Sequence, residues 1–87
     1  MGKLTTLNLL PVGTKGVIQK MDADGPIRRR FQDIGLVLGT QVECIGRSPL
    51  KDPSAYLIKG AVIAIRADDC KNIVVLTHNT SRQEGIN

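Results

Sequence analysis

Apolar positions recur at two different spacings along the chain, and the switch between them marks out the elements. Ile27, Phe31 and Ile34 stand at i, i+4 and i+7, the spacing that lines side chains along one stripe of a helix. Pro26 fits the first helical position, because its fixed φ suits a helix and its missing N–H would lack a partner there, which makes Gly25 or Asp24 the N-cap. Gly35 follows as the stop, free to take the left-handed conformation that closes a helix. The pattern predicts a short helix over residues 26–34, with Ile27, Phe31 and Ile34 facing inward and Arg28, Arg29 and Arg30 left on the other faces.

Elsewhere the period is that of strands. A strand is expected at residues 17–21, and residues 40–45 alternate so that Val42 and Cys44 face inward while Gln41 and Glu43 face water. Residues 54–59 and 61–66 are two apolar runs joined tightly through Gly60, which predicts a hairpin. On its inner face lie Tyr56, Ile58, Ile63 and Ile65. Its other face carries Ala55, Leu57, Val62 and Ala64, and is unusually apolar for a surface. A single helical turn capped by an aspartate is expected over residues 67–72, then a closing strand at 73–76. The chain reads as mainly β, with about five strands and a short helix inserted after the first. Ahead of these, Leu4, Leu7, Leu9 and Leu10 form an apolar cluster, read as one helical turn or an extended cover that is also available to the hairpin's outer face. Residues 1–77 form one domain in this reading, and the polar residues 78–87 a flexible tail.

Composition narrows the core. An 87-residue chain supports one small core, burying about 60–65% of its unfolded surface. Hydrophobic residues make up 41% of the chain, yet Phe31 and Tyr56 are the only aromatics, so Leu, Ile and Val must fill the interior. The formal charge of +4 leans toward acidic partners but falls short of the basic stripe of a nucleic-acid binder. With both aromatics in core positions there is no platform for stacking bases, and nucleic acid is not an expected partner. No apolar run approaches the roughly 18 residues of a membrane span, and the N-terminus lacks a secretory h-region and cleavage site. A cytoplasmic protein without direct membrane insertion is expected.

The residues that carry chemistry are few. No G-x-x-x-x-G-K-[ST] phosphate loop occurs. Cys44, Cys70 and His78 are the only soft metal ligands, without C-x-x-C or H-x-x-x-H spacing, and both cysteines fall at core positions. They read as buried structural thiols rather than a metal site or a disulfide. Asp22, Asp24, Asp68 and Asp69 sit at a helix start and a turn, where carboxylates more often cap than bind cations. No catalytic residues, metal ligands or cofactor are expected. The candidates that remain are surfaces: the outer hairpin face of Ala55, Leu57, Val62 and Ala64, and the run Arg28, Arg29 and Arg30, whose guanidinium forks suit carboxylates on an acidic protein surface.

Several stretches together carry a family resemblance. Leu-Pro-Val-Gly-Thr-Lys-Gly-Val-Ile at residues 10–18, Arg-Arg-x-x-Asp-x-Gly-Leu-x-x-Gly-Thr-x-Val from Arg29 onward, Pro49 and Pro53, Lys59-Gly60, and Ile63-Ala64-Ile65-Arg66 stand in the order seen in ferrous iron transport protein A, the FeoA family. The match covers most of residues 7–76. Lys51 before Asp52-Pro53 departs from the family's usual Gly-Asp-Pro loop, as does Cys70 from a small or apolar position. The resemblance implies a small SH3-like barrel, similar to the C-terminal domain of iron-dependent repressors. It further implies a non-enzymatic accessory protein of bacterial ferrous iron uptake that binds and regulates the FeoB-type GTPase-linked transporter from its cytoplasmic side. The alternative is a metal-responsive accessory domain related to those repressors. The apolar outer strand face is equally suited to a homo-oligomer.

Overall fold

The computed structural model describes residues 2–49 and 52–78. Six strands form one antiparallel sheet: β1 (Gly2–Thr6), β2 (Lys15–Met21), β3 (Gln41–Arg47), β4 (Ser54–Ile58), β5 (Ala61–Ile65) and β6 (Ile73–His78). They lie in the order β1-β6-β2-β3-β4-β5. Two helices interrupt them, α1 (Gly25–Asp33) and the one-turn α2 (Ala67–Cys70), with a 3-10 turn at Leu7–Leu9. The fold is mainly β, as the sequence predicts, but it has one strand more. β1 replaces the expected cover, so the helix follows the second strand rather than the first. Gly-Lys-Leu-Thr-Thr lacks an inward apolar repeat because β1 is an edge strand that buries little, held by its ladder to β6 and by Thr77 Oγ1 donating to the Lys3 carbonyl at 3.1 Å.

The sheet curls around a core of Leu, Ile and Val. Val42 and Cys44 from β3, Tyr56 and Ile58 from β4, and Ile73 and Val75 from β6 are all fully buried. Register breaks between Ile18 and Lys20 and between Cys44 and Gly46 insert one extra residue in β2 and β3. Such bulges bend a strand and increase its twist, which lets a small sheet wrap. Leu7 and Leu10, Phe31 and Leu36, and Cys70 close the ends of the core.

The helix stop is read correctly from sequence. Gly35 takes φ +87°; its N–H donates to the Gln32 carbonyl at 3.1 Å and the next N–H, of Leu36, to the Phe31 carbonyl at 2.8 Å. That pair of bonds is the Schellman closure, and its accompanying apolar contact joins Phe31 and Leu36, both in the core. The inward stripe is narrower than predicted. Phe31 is buried and Ile34 packs against the core, but Ile27, in the first turn of α1, is 39% exposed and outside the core cluster.

Element boundaries differ from the expected ones by a few residues. β2 starts at Lys15 rather than residue 17, and β6 continues through Thr77 to His78; residues 79–87, expected as a tail, lie outside the described residues. α2 does have an aspartate at its start, but from a distant loop. Asp52 Oδ1 accepts the Ala67 N–H at 2.8 Å, while Asp68 makes a 3.8 Å surface pair with Lys71.

Candidate docking surface

The hairpin divides its apolar residues as the alternation requires. β4 and β5 pair in continuous register, Leu57 opposite Val62 and Ala55 opposite Ala64. Lys59 and Gly60 both adopt positive φ, +51° and +84°, the left-handed pair that a two-residue turn needs to match strand twist. Tyr56, Ile58 and Ile65 face inward and are buried, with Ile63 packed beside them. Ala55 and Leu57 are half-buried, Ala64 is exposed and Val62 is 64% exposed. The N-terminal segment does not cover this face. β1 lies at the opposite edge of the sheet, and Leu7 enters on the inner side, where its carbonyl accepts the Tyr56 hydroxyl at 3.2 Å.

That inner side is tied by polar contacts that the sequence does not reveal. Cys70 Sγ donates to the Tyr56 hydroxyl oxygen at 3.5 Å. Burial pushes the Cys70 thiol up to about 11, and burial together with the Cys70 contact raises the Tyr56 phenol well above its ordinary range. Both groups are therefore neutral at physiological pH. Arg47 spans the same end: Nη1 donates to Ser54 Oγ at 2.8 Å and Nη2 to the Leu10 carbonyl at 2.6 Å. These contacts tie the inner side of the hairpin to the barrel and involve no side chain of its outer face.

Beside Leu57 the outer face dips into a groove of about 420 Å³, with Lys15, Glu43 and Lys59 among its walls. Nothing in the spacing of Lys15 and Lys59 along the sequence marks them out. They come together because β2 and β3 are neighbours and the hairpin turn sits at the same end of the sheet. The stem of Lys59 runs close to Gly35, where an added Cβ would stand 3.1 Å from Lys59 Cδ.

The arginines do not act as one group. All three are exposed, and among the described residues none forms an ion pair. Arg28 lines a groove of about 460 Å³ with Lys20, Met21, Gln32 and Leu38, whereas Arg29 and Arg30 border a separate depression with Asp33 and Pro26. Successive helical residues turn by about 100°, so such a split follows from α1 itself. Cys44 and Cys70 are both free and buried. Among the described residues no three His, Cys, Asp or Glu side chains converge as a metal site would need, and no helix is long and apolar enough to cross a membrane.

A small SH3-like barrel with an apolar strand face and scattered exposed cations has the make-up of a binding module. The FeoA domain model matches residues 5–76, and the chain belongs to the FeoA domain family, a family of small accessory domains in ferrous iron transport. A curated relative from Porphyromonas gingivalis (strain ATCC BAA-308 / W83), a fusion of Fe(2+) transport protein A with the Fe(2+) transporter FeoB, is 30% identical over 69 residues, 79% of this chain. The chain spans only 8% of that relative's length. Among solved structures, the zinc complex of Stenotrophomonas maltophilia FeoA, described as a prokaryotic SH3 domain protein, is 29% identical with a TM-score of 0.69, covering 82% of this chain and 88% of that one. A manganese-dependent transcriptional repressor superposes with a TM-score of 0.76 at 20% identity, over 90% of this chain and 44% of the repressor. That likeness is one of fold alone.

Proposed function

We propose that this chain is a non-catalytic cytoplasmic accessory protein of bacterial ferrous iron uptake that binds a FeoB-type transporter on its cytoplasmic side and regulates it through protein–protein contacts. The observation that carries this reading is the fusion relative, in which a homologue of this domain and the transporter share one polypeptide. Covalent linkage holds two modules at high effective concentration, which favours partners that act together. The docking face is the outer side of the hairpin, Ala55, Leu57, Val62 and Ala64, where a rigid apolar patch meets the groove flanked by Lys15 and Lys59. Arg28, Arg29 and Arg30 add salt-sensitive attraction to acidic residues at the rim, speeding encounter more than deepening affinity.

The test is anaerobic binding to the transporter's cytoplasmic part with GTP, GDP or no nucleotide. Loss of binding in Leu57→Glu, with a weaker loss in Arg28→Glu and Arg29→Glu, supports this docking face, and a difference between nucleotide states supports regulation. Absence of binding by folded wild-type protein in every state contradicts the reading. The metal-responsive alternative draws on the repressor-like fold, and calorimetric titration with Fe(II) tests it.

A further inference from the structure

The sheet order leaves β5 with a neighbour on one side only. The hairpin register settles which backbone groups that open side presents. Across a two-residue turn the flanking pair, Ile58 and Ala61, exchanges both hydrogen bonds, and hydrogen-bonded and non-bonded pairs then alternate along an antiparallel ladder. Tyr56–Ile63 and Ser54–Ile65 are the next bonded pairs in this register, while Leu57–Val62 and Ala55–Ala64 are not bonded. Val62 and Ala64 therefore aim their N–H and C=O groups away from β4, and both residues are exposed.

Proteins guard such edges with a lysine, a proline, a bulge or a covering segment. Among the described residues β5 has none of these. Its sequence is Ala-Val-Ile-Ala-Ile, its register with β4 is unbroken, and no other described strand pairs with it. We propose that this edge is a homodimer seam, in which β5 of one copy pairs antiparallel with β5 of a second about a two-fold axis at Ile63.

The register makes the strand self-complementary. With the axis at Ile63, Val62 of each copy faces Ala64 of the other, and these are the residues whose backbone groups point outward. Each of the two pairs exchanges two hydrogen bonds, giving a closed, isologous contact. Opposed side chains are apolar throughout: Val62 against Ala64 on the outer face, and Ile63 against Ile63 and Ala61 against Ile65 on the inner. No charge meets its like within the strand. Residue 60 of one copy meets Arg66 of the other, and Gly60 offers no side chain to obstruct it. A five-residue seam falls well short of the roughly 1,200 Å² of a stable interface, so the dimer forms at high concentration and exchanges rapidly. Residues 79–87 are polar apart from Gly85 and Ile86, a composition that matches an apolar edge poorly.

Light scattering on the full chain from micromolar to millimolar concentration reads the association, and hydrogen exchange locates it. The apparent mass should rise toward twice that of the monomer, with the Val62 and Ala64 amides slowing at least tenfold as it does. Because the seam is uncharged, raising salt from 50 to 500 mM should not weaken it, whereas arginine-driven docking should weaken. Val62→Lys should remain monomeric. Ala64→Pro removes an N–H that β4 does not use and should also abolish the dimer; far-UV circular dichroism confirms that each variant is folded. A chain monomeric at every concentration overturns the proposal, as does an edge whose amides slow only when the transporter's cytoplasmic part is added. Leu57→Glu lies on β4 and should leave the dimer intact, so failure of self-pairing is separable from failure of transporter docking.

Discussion

The two faces of the β4–β5 hairpin are built from nearly the same residue types and have opposite fates. Inside, Tyr56, Ile58 and Ile65 are sealed, and the one hydroxyl among them meets both a backbone carbonyl and a thiol. Outside, Ala55, Leu57, Val62 and Ala64 are as apolar but only partly covered. Apolar surface is worth about 25 cal/mol per Å² when removed from water, so the inner face has already contributed its share to folding, while the outer face keeps part of its apolar surface in water; under the proposed docking role, that remainder is what association would bury. Stability should depend on the first and association on the second.

Substitutions should separate the two. Tyr56→Ala removes the largest fully buried side chain and should lower unfolding free energy by about 3 to 5 kcal/mol, enough to unfold much of a small domain in thermal or guanidinium denaturation. Alkaline pH should act on the same side. The Cys70 thiol is raised from an ordinary 9.0 to about 11, so the folded state holds its proton where the unfolded chain has lost it. The Cys70 contribution to stability should be intact below about pH 8.5 and be lost between about pH 9 and 11, roughly 2 to 3 kcal/mol, and the raised Tyr56 phenol should add a further loss above about pH 10. Cys70→Ala should flatten that part of the profile in denaturant titrations.

Tyr56→Phe should cost only about 1 kcal/mol, because the Leu7 carbonyl keeps the Leu10 N–H at 3.1 Å after the hydroxyl is gone. Leu57→Glu, on the outer face, should change stability by less than about 1 kcal/mol while abolishing partner binding. A large loss of stability from Leu57→Glu would erase the contrast between the faces.

Much of this arrangement is legible in the sequence, for local reasons. The Pro26 start, the Gly35 stop, the period-2 runs and the turn at Gly60 each depend on backbone geometry that a few neighbouring residues determine. β1 is not legible, because an edge strand with little buried surface carries no alternation and depends on a ladder to residues some 70 positions away. Ile27 fits the helical stripe yet lies where the core does not reach. The Asp52 cap on α2 and the Arg47 clamp join residues far apart in the chain, and nothing in their local sequence signals the pairing. The outer hairpin face is legible in composition alone; that Lys15 and Lys59 flank it depends on the order of strands in the sheet.

The most direct test of the binding account is the affinity of Leu57→Glu for the transporter's cytoplasmic part, measured beside wild type under anaerobic conditions with GTP and with GDP. Wild type should bind, and the variant should lose that binding at least 100-fold, with its melting temperature and circular dichroism essentially unchanged. Equal binding by wild type and a folded variant would contradict a docking role for the hairpin's outer face.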